Sequence, residues 1–248
     1  MVIRTLTAGD FDAVHTAFNE AFRDYVVPLQ LTPEQFREML TRRGWVPEAS
    51  VAAEDEGRIV AFTLNCIDGT AAYDNGTGVV PTHRRRGLAA RVMNECVRVL
   101  RARGCETYVL EVIDTNHGAI ALYESLGFQD IRGLQSWTYE SKSGREAEVP
   151  NVNLRPSWQN SEASIRRATA PHVKIEDPRG HLLLFPNNGD VPRFHGTITT
   201  RLLDEALVAA GKPLRIINVD ESDEAFARFL ADAGARKIVR QREMILPL

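Results

Sequence analysis

The stretch VVPTHRRRGLAARV, residues 79–92, crowds three arginines against a glycine where a strand pattern gives way to a helix pattern. The first N–H groups of a helix lack intrahelical partners, and the helix dipole adds partial positive charge there. Gly87 would let the backbone approach a phosphate closely, with the small Ala89 beside it. Four arginines provide fork-shaped donors for phosphate oxygens, namely Arg84, Arg85, Arg86 and Arg91. The stretch therefore predicts a polyphosphate site, with a solvated basic turn as the alternative.

Other motifs and the overall charge restrict the kind of anion. Neither GxxxxGK[ST] nor GxGxxG occurs, which disfavours a nucleoside-triphosphate loop and a dinucleotide site. The formal net charge is −3 and no aromatic platform accompanies the arginines, so we expect no nucleic-acid partner. The three cysteines show no CxxC spacing, so neither a disulfide framework nor a metal site is predicted.

The composition is that of a globular protein, with 44% hydrophobic and 25% charged residues. The N-terminal segment lacks a signal-peptide pattern, and no run approaches the roughly 18 apolar residues that a membrane span needs. We therefore expect a cytoplasmic protein with no membrane partner.

Strand and helix patterns alternate around the arginine stretch. Asp10 and Thr32 are predicted N-caps, Pro33 opens the second helix and Gly44 closes it. The run 106–113 is almost continuously apolar, which is typical of a strand in the middle of a sheet. The predicted order is a strand at 2–6, helices within 7–25 and 31–44, a hairpin at 50–69, a strand at 70–80, a helix at 89–104, a strand at 106–113, a helix at 116–127 and one or two strands at 128–140.

A polar, proline-broken segment at 141–163 marks a domain boundary, and a second pattern follows it. We predict domains at 1–142 and 164–248, separated by a linker at 143–163, with a start of the second domain near 156 as the alternative. The second pattern is predicted as a helix at 157–169, strands at 172–177 and 180–186, a helix at 200–211, a strand at 213–219, a helix at 223–234 and a strand at 235–246.

Landmarks of the two halves share one offset of 107 residues. Gly104 and Gly211 both end predicted helices, and Val112 and Val219 both end predicted strands. This common offset indicates a duplicated unit, with two unrelated α/β units of similar element lengths as the alternative.

Two motifs together resemble the GNAT superfamily of acyl-CoA N-acyltransferases. Arg84, Gly87 and Ala89 match its motif [RQ]-x-x-G-x-[GA]. Residues 110–128, LEVIDTNHGAIALYESLGF, are similar to its second motif, N-x-x-A-x-x-L-Y-x-x-x-G-F, in the expected order and spacing. The resemblance implies a mixed α/β fold with a strongly twisted central sheet, whose fourth and fifth strands splay apart to receive acetyl-CoA.

The resemblance also assigns site residues. Backbone groups near Val79 and Val80 would hold the pantetheine arm and polarise the thioester carbonyl. The backbone of Arg85, Arg86, Gly87, Leu88, Ala89 and Ala90 would cradle the pyrophosphate, and Asn116 would bond the amide portion of acetyl-CoA. Asp24 and Tyr25 lie in a connection that helps to wall the acceptor pocket in this family, although loop polarity alone explains them equally well.

Two residues receive catalytic roles from the resemblance. Tyr123 would protonate the departing thiolate, and Glu111, or an ordered water, would deprotonate the attacking ammonium. Both have a structural alternative, since Tyr123 has the helical spacing of a core residue and Glu111 could be a salt-bridged strand residue. Asn116 likewise could be a helix N-cap. His83 and His117 flank this region without a nucleophile or metal partner, and the cysteines look like small buried hydrophobes.

The second half departs from the family pattern. At the 107 offset Asn218, Asp223 and Leu230 stand in the places of Glu111, Asn116 and Tyr123, and no arginine-glycine motif occurs. We therefore predict a degenerate second domain without a cofactor site. Such a domain could shape the acceptor site, stabilise the first half or form a homodimer surface, and the sequence leaves these three roles open.

The sequence thus predicts a tandem GNAT-type N-acetyltransferase with one active half. It would transfer an acetyl group from acetyl-CoA to a primary amine by direct attack in a ternary complex. The alternative is a non-catalytic acyl-CoA sensor or interaction module, which would not need Tyr123. The identity of the acceptor and the length of the acyl group are left open.

Overall fold

The computed structural model describes residues 1–25, 29–140 and 146–248. These residues form two compact units: unit 1 contains residues 1–130 and 244–248, and unit 2 contains residues 131–243. The predicted boundary between residues 142 and 143 lies outside the described residues.

Unit 1 follows the predicted order of strands and helices. Its elements are β1 (Val2–Thr5), α1 (Phe11–Phe22), α2 (Pro33–Arg43), β2 (Val51–Asp55), β3 (Arg58–Asp68), β4 (Ala71–Val79), α3 (Leu88–Ala102), β5 (Thr107–Ile113), α4 (His117–Ser125) and the start of β6 (Gln129–Tyr139). The region 128–140, predicted as one or two strands, is the single strand β6.

The predicted helix signals are borne out at both ends of α2. The Thr32 hydroxyl accepts a hydrogen bond from the Gln35 N–H, and Pro33 occupies the first turn. Gly44 closes the helix with a φ of 83°, a left-handed conformation that favours glycine. Asp10 is the N-cap of α1, but its carboxylate binds the side chains of Arg4 and Thr7 instead of the helix N–H groups.

The strands of unit 1 pair in chain order. β1, β2, β3 and β4 are antiparallel neighbours, and β5 lies parallel to β4. The β4–β5 register ends at Tyr73 and Val109, so the two strands have no ladder beyond that pair. This divergence is the splay that the family resemblance predicts.

A register shift in β4 changes which of its side chains share a face. Leu64 and Asn65 of β3 pair with Gly76 and Asp74, which leaves Asn75 as an extra residue in β4. Side chains three positions apart normally lie on opposite faces of a strand. The bulge therefore brings the side chains of Asp74 and Thr77 to the same face.

The core of unit 1 packs α1, α2, α3 and α4 against this sheet. One face of α3 is directed to this core, because Val92, Cys96 and Leu100 are fully buried and Val99 is nearly so. Met244 and Leu246 also belong to this core, and the Leu248 N–H donates to the Glu106 carbonyl. The last residues of the chain are therefore part of unit 1.

Unit 2 contains a second succession of strands and helices. Its elements are most of β6, β7 (Glu148–Val152), α5 (Glu162–Arg167), β8 (Val173–Asp177), β9 (Gly180–Phe185), β10 (Asp190–Thr199), α6 (Thr200–Ala210), β11 (Leu214–Asp220), α7 (Glu224–Asp232) and most of β12 (Arg236–Pro247). The strands β7 and β10 were not predicted, because each contains a proline and lacks a long apolar run.

Two sequence expectations differ from the structure of unit 2. The helix predicted at 157–169 is a short 3-10 turn followed by α5, because Ser161 adopts an extended conformation and caps α5. The predicted linker contains β7, which pairs antiparallel with β10. The units divide earlier than the predicted boundary because β6 pairs with β11 from Leu134 to Tyr139.

The duplicated landmarks agree in backbone conformation. Gly104 and Gly211 follow α3 and α6 with positive φ values of 77° and 61°. Gly127 and Gly234 follow α4 and α7, both with a φ of 93°. In both units a parallel strand pair is joined through a helix, β4–α3–β5 and β10–α6–β11. Unit 2 is therefore a second, partial copy of the fold of unit 1.

Candidate active site

A cleft of about 540 Å³ opens in unit 1 where β4 and β5 diverge. Its walls come from the end of α1, the last residues of β4, the arginine-glycine turn, the first turn of α3 and one face of α4. Eleven of the predicted site residues line it, namely Asp24, Tyr25, Val79, Arg84, Arg85, Gly87, Leu88, Ala89, Ala90, Asn116 and Tyr123. The fold thus gathers most of the predicted residues around one space.

The first turn of α3 has backbone donors without a side-chain cap. Gly87 is the N-cap, with a φ of 71° and no side chain to accept a hydrogen bond from the helix. Arg85 also has a positive φ of 61°, which is uncommon for a residue with a side chain. A Cβ built on Gly87 would meet no atom within 4 Å, so the space in front of the turn is open. These features suit an anion bound by backbone N–H groups.

Arg84 has a different set of partners from the predicted phosphate oxygens. Its guanidinium binds both carboxylate oxygens of Asp24 at 2.7 Å. It also donates to the Ala21 carbonyl at 2.9 Å and to the Val79 carbonyl at 3.2 Å. Arg84 therefore ties the end of α1 to the end of β4, and the pKa of Asp24 is lowered by this hydrogen bonding.

The remaining predicted anion ligands divide into two groups. Arg85 lines the cleft, whereas Arg86 is not among its lining residues in the described chain and donates to the Thr82 carbonyl at 3.1 Å. The Val80 N–H donates to the Val60 carbonyl at 3.0 Å, so it is not free to bond pantetheine. Val80 is also buried, which leaves Val79 as the residue of this pair that faces the cleft.

Asn116 and Tyr25 meet across the cleft. The Asn116 carbonyl oxygen accepts a hydrogen bond from the Ala119 N–H at 3.2 Å, so Asn116 is the N-cap of α4 as its alternative role requires. Its amide nitrogen points to the Tyr25 hydroxyl at 3.4 Å. Burial raises the pKa of Tyr25. The capping role therefore uses the side-chain oxygen of Asn116 and leaves its amide nitrogen on the cleft side, where it donates to Tyr25.

Tyr123 is both a core residue and part of the cleft lining. It belongs to the core of unit 1, where its ring packs 5.7 Å from that of Phe128, and it also lines the cleft. Burial raises the pKa of its phenol well above the ordinary value, and the charge of Asp74 raises it further. The phenol is therefore protonated at neutral pH and suited to donate a proton.

Glu111 does not line this cleft among the described residues. It is half-buried on β5 between Leu110 and Val112, which belong to the core. Since side chains alternate along a strand, Glu111 lies on the opposite face of β5 from these two residues. Burial raises the pKa of Tyr73, and the charge of Glu111 raises it further, which places Glu111 near Tyr73.

The structure adds a group that the sequence analysis missed. Asp74 is buried on β4, and its carboxylate accepts hydrogen bonds from the Thr77 hydroxyl at 2.6 Å and the Gly76 N–H at 2.9 Å. Burial raises the pKa of Asp74 to about 6, against the lowering effect of these hydrogen bonds. The signal in the sequence was an aspartate inside a strand of small and polar residues, which does not reveal burial.

The histidines of this region and the cysteines differ in burial and in their distance from the cleft. His83 lines the cleft and lies 3.4 Å from an oxygen of Asp55, whereas His117 is exposed. The three cysteines are buried, as predicted. No group of three or more His, Cys, Asp and Glu residues in the described ranges is placed to hold a metal ion. No described helix is both long and apolar enough to cross a membrane.

Unit 2 contains a smaller cleft of about 380 Å³, lined by residues of β10 and β11 and by the segment that precedes α5. Asn218 lines it, whereas Leu230 is fully buried. The Asn160 side chain donates to the Ile217 carbonyl at 2.8 Å, so a segment of the chain itself bonds β11 there. The Thr199 hydroxyl accepts from the Leu202 N–H at 3.3 Å. The N-terminus of α6 therefore carries a side-chain cap that α3 lacks.

Comparison with known proteins identifies relatives of unit 1. The sequence model of the Acetyltransferase (GNAT) family matches residues 11–128. An acetyltransferase of Pectobacterium atrosepticum is 30% identical over 131 residues, which cover 53% of this chain and 89% of that protein. The [ribosomal protein bS18]-alanine N-acetyltransferase of Escherichia coli is 34% identical over 90 residues, 36% of this chain. The match spans only 60% of the length of that relative.

Solved structures extend the likeness to the whole chain. A GCN5-related N-acetyltransferase from Sphaerobacter thermophilus superposes with a TM-score of 0.68 and 14% identity, covering 99% of this chain and 95% of that one. A tandem GNAT protein from the clavulanic acid biosynthesis pathway gives a TM-score of 0.66 at 14% identity, covering 99% and 98%. At this identity the likeness concerns the fold, and it supports two copies of that fold.

Proposed function

Because the chain belongs to the GNAT acetyltransferase family, we propose that unit 1 transfers the acetyl group of acetyl-CoA to a primary amine by direct attack in a ternary complex. The observation that carries the proposal is the composition of one cleft. It joins an uncapped helix N-terminus, the amide of Asn116 and the buried phenol of Tyr123.

The anion end of the cleft fits the diphosphate of acetyl-CoA. The first N–H groups of α3 face open space past Gly87, and the helix dipole favours negative charge there. Arg85 adds a cation at the mouth. Arg84 contributes indirectly, because its bidentate pair with Asp24 holds the wall of the cleft in place.

The opposite end supplies the acid. Tyr123 would donate its phenolic proton to the sulfur as the C–S bond of the thioester breaks. Attack requires a neutral amine, so an ammonium must first lose a proton. Glu111 lies outside the cleft lining of the described residues, and we assign it the base role through an ordered water. Under this assignment Glu111→Gln lowers kcat and leaves the dissociation constant of acetyl-CoA unchanged.

The acceptor class of the proposal comes from the names of two relatives. One is an alanine N-acetyltransferase of a ribosomal protein, and the other is a thialysine N-epsilon-acetyltransferase of Mus musculus. Both acceptors are primary amines, and we extend that class to this chain. Tyr25 and the paired Asp24 form the wall that the acceptor would meet. Unit 2 would hold no acetyl-CoA, because the Thr199 hydroxyl caps the N-terminus of α6.

The first experiment measures thermal unfolding with and without acetyl-CoA. Ligand at about 100 times its dissociation constant should add about 2.7 kcal/mol to the stability of the wild type. Gly87→Glu should abolish this shift, because it places a carboxylate where the diphosphate binds. Gly104→Glu is the matched control, since Gly104 has a φ of 77° and open space but follows the other end of α3.

Turnover is then measured as release of free CoA thiol with a panel of primary amines. Tyr123→Phe should bind acetyl-CoA as the wild type does and lose most of its turnover. Binding without turnover of any amine by the wild type would favour the acyl-CoA sensor over the enzyme. A wild type that shows no thermal shift would overturn the site itself.

A further inference from the structure

The chain itself fills part of the space where β10 and β11 diverge. In the described residues these two strands pair only at Asp190 and Arg215. Farther along β10, Gly196 pairs with Gly180 of β9 and also with Val152 of β7. Because β9 takes one edge of β10, β7 lies on the edge that faces β11. A strand of unit 2 therefore closes the far end of this divergence.

A cleft of about 380 Å³ remains between the β10–β11 pair and β7. Its lining residues are 191–195 of β10, 216–219 of β11 and 153–156 after β7, together with Asn160 and Glu162. All of them lie within unit 2. Pockets for small molecules measure about 300–1,000 Å³, so the cleft has the size of a site for a small ligand.

Two arginines of this cleft have no carboxylate partner in the part of the chain that the structure describes. Arg193 is half-buried and donates to the Asn160 carbonyl at 3.3 Å, and Arg155 is exposed. The acidic lining residue, Glu162, pairs with Arg166 at 3.6 Å. The cleft therefore has an excess of positive charge, which favours an anionic ligand.

The segment that carries Arg155 is held in place by a buried guanidinium. Arg132 pairs with Asp220 at 2.9 Å and with Glu243 at 2.6 Å. It also donates to the Arg155 carbonyl at 3.2 Å and to the Pro156 carbonyl at 3.1 Å. A wall that is ordered before binding lowers the entropy cost of binding. The cleft is therefore preorganised on this side.

The amide of Asn160 adds a hydrogen-bond acceptor to the cleft wall. Asn160 lines the cleft and is 4% exposed. Its Nδ2 group donates to the Ile217 carbonyl at 2.8 Å, whereas Oδ1 has no hydrogen-bond partner within the described ranges. A buried acceptor without a donor costs free energy. A hydroxyl or amino group that enters the cleft beside Asn160 would supply the missing donor.

We propose that unit 2 binds a small organic acid in this cleft, one that carries a hydroxyl or amino group beside its carboxylate. The guanidinium groups of Arg155 and Arg193 hold the carboxylate through forked hydrogen bonds. The hydroxyl or amino group donates to Asn160 Oδ1. Buried Phe194 and Val219 line the same space and contact the carbon skeleton. This site shares no lining residue with the cleft of unit 1, so it does not depend on the proposed acetyl transfer.

Isothermal titration of the full chain with a panel of acids tests the proposal. The panel contains L-lactate, L-malate, L-serine and L-glutamate, with succinate and inorganic phosphate as comparisons. We expect one acid molecule to bind per chain. Arg193→Gln should weaken this binding by about 10- to 100-fold, as loss of a hydrogen bond between charged groups does. A panel in which no acid binds would overturn the proposal.

Two further variants separate the cleft from charge and folding effects. Arg155→Gln repeats the test at an exposed position, where a substitution does not disturb packing. Arg201→Gln is the matched control, because Arg201 is exposed on α6 outside the cleft lining, and it should bind the acid as the wild type does. Each variant is first checked for an unchanged midpoint of urea denaturation. Equal binding by the wild type, Arg155→Gln and Arg193→Gln would overturn the site.

The role of Asn160 is tested on the ligand, since a substitution there would also remove its bond to β11. L-malate and succinate differ by one hydroxyl group. We expect malate to bind about 10-fold more tightly, as one additional hydrogen bond allows. Equal affinities would show that no donor reaches Asn160. Inorganic phosphate that binds as tightly as the best acid would show an adventitious ion only, which also overturns the proposal.

Competition with acetyl-CoA distinguishes this site from the proposed active site. Saturating acetyl-CoA should not displace the acid, and Gly87→Glu should leave the dissociation constant of the acid unchanged. Displacement by acetyl-CoA, together with loss of acid binding in Gly87→Glu, would assign the acid to unit 1 and overturn the inference. A chain that binds the acid but not acetyl-CoA would support the inference and contradict the proposed function alone.

Discussion

The buried carboxyl group of Asp74 makes the stability of unit 1 depend on pH in a defined direction. Its pKa is about 6 in the folded chain, raised by burial from the ordinary value of 3.8. A group whose folded pKa is raised holds its proton more tightly in the folded state. Its favourable contribution is therefore complete below pH 4 and is lost as the pH rises from about 4 to 6.

The size of the loss follows from the two pKa values. They differ by about 2 pH units, and each unit corresponds to 1.36 kcal/mol, so ionisation of Asp74 reduces the free energy of unfolding by about 3 kcal/mol above pH 7. Asp74 is buried, so no discount for solvent screening applies. Asp74→Asn cannot ionise and has nearly the same shape. We expect it to equal the wild type near pH 4 and to be about 3 kcal/mol more stable at pH 8.

The assay is urea denaturation of both proteins at a series of pH values between 4 and 8. All other titrating groups are common to the two proteins, so the difference between their free energies of unfolding isolates Asp74. Asp12→Asn serves as the control, because it removes a carboxylate that is exposed on α1. A difference that does not change with pH, or an Asn variant that loses stability relative to the wild type as pH rises, would refute the reasoning.

Three further predictions concern other parts of the chain. Arg132 is 7% exposed and pairs with Asp220 at 2.9 Å and Glu243 at 2.6 Å, so Arg132→Ala should cost about 3–5 kcal/mol in urea denaturation; a loss below 1 kcal/mol would contradict this. Isothermal titration should find one acetyl-CoA per chain, since Thr199 caps α6 and Asn160 bonds β11; two equivalents would show that unit 2 also binds it. The cysteines are buried and burial raises the pKa of Cys96 to about 12, so a thiol reagent should modify them only after unfolding, and rapid labelling of the native protein would disprove it.

The two units differ at the N-terminus of the helix that follows the splayed strand. In unit 1 the helix after the splayed strand begins at Gly87, whose missing side chain leaves the helix N–H groups open. In unit 2 the corresponding helix begins after Thr199, whose hydroxyl takes one of those N–H groups. In unit 2 the residues Asn218, Asp223 and Leu230 stand in the places of the predicted site residues of unit 1. The cap at Thr199 is a further difference, at the helix N-terminus that in unit 1 would face the anion.

Local patterns in the sequence determined most of unit 1. Helical spacing and start and stop residues such as Thr32, Pro33 and Gly44 act within a few residues, so α2 was predicted correctly from sequence. The family motifs are also local patterns of a few residues, so they identified the fold and the approximate region of the cleft. The common offset of 107 residues also indicated the duplication, which the backbone angles of Gly127 and Gly234 repeat.

Tertiary structure alone decided which side chains meet. Arg84 and Asp24 are 60 residues apart, and only the packing of α1 beside β4 makes them partners. A single extra residue in β4 turns Asp74 and Thr77 to one face, and no local rule of propensity places that bulge. Glu111 lies away from the cleft because side chains alternate along β5 and its two neighbours face the core. The sequence does not reveal which face of β5 is turned to the core. Spacing along the chain predicts elements, whereas the distances between side chains depend on how those elements pack.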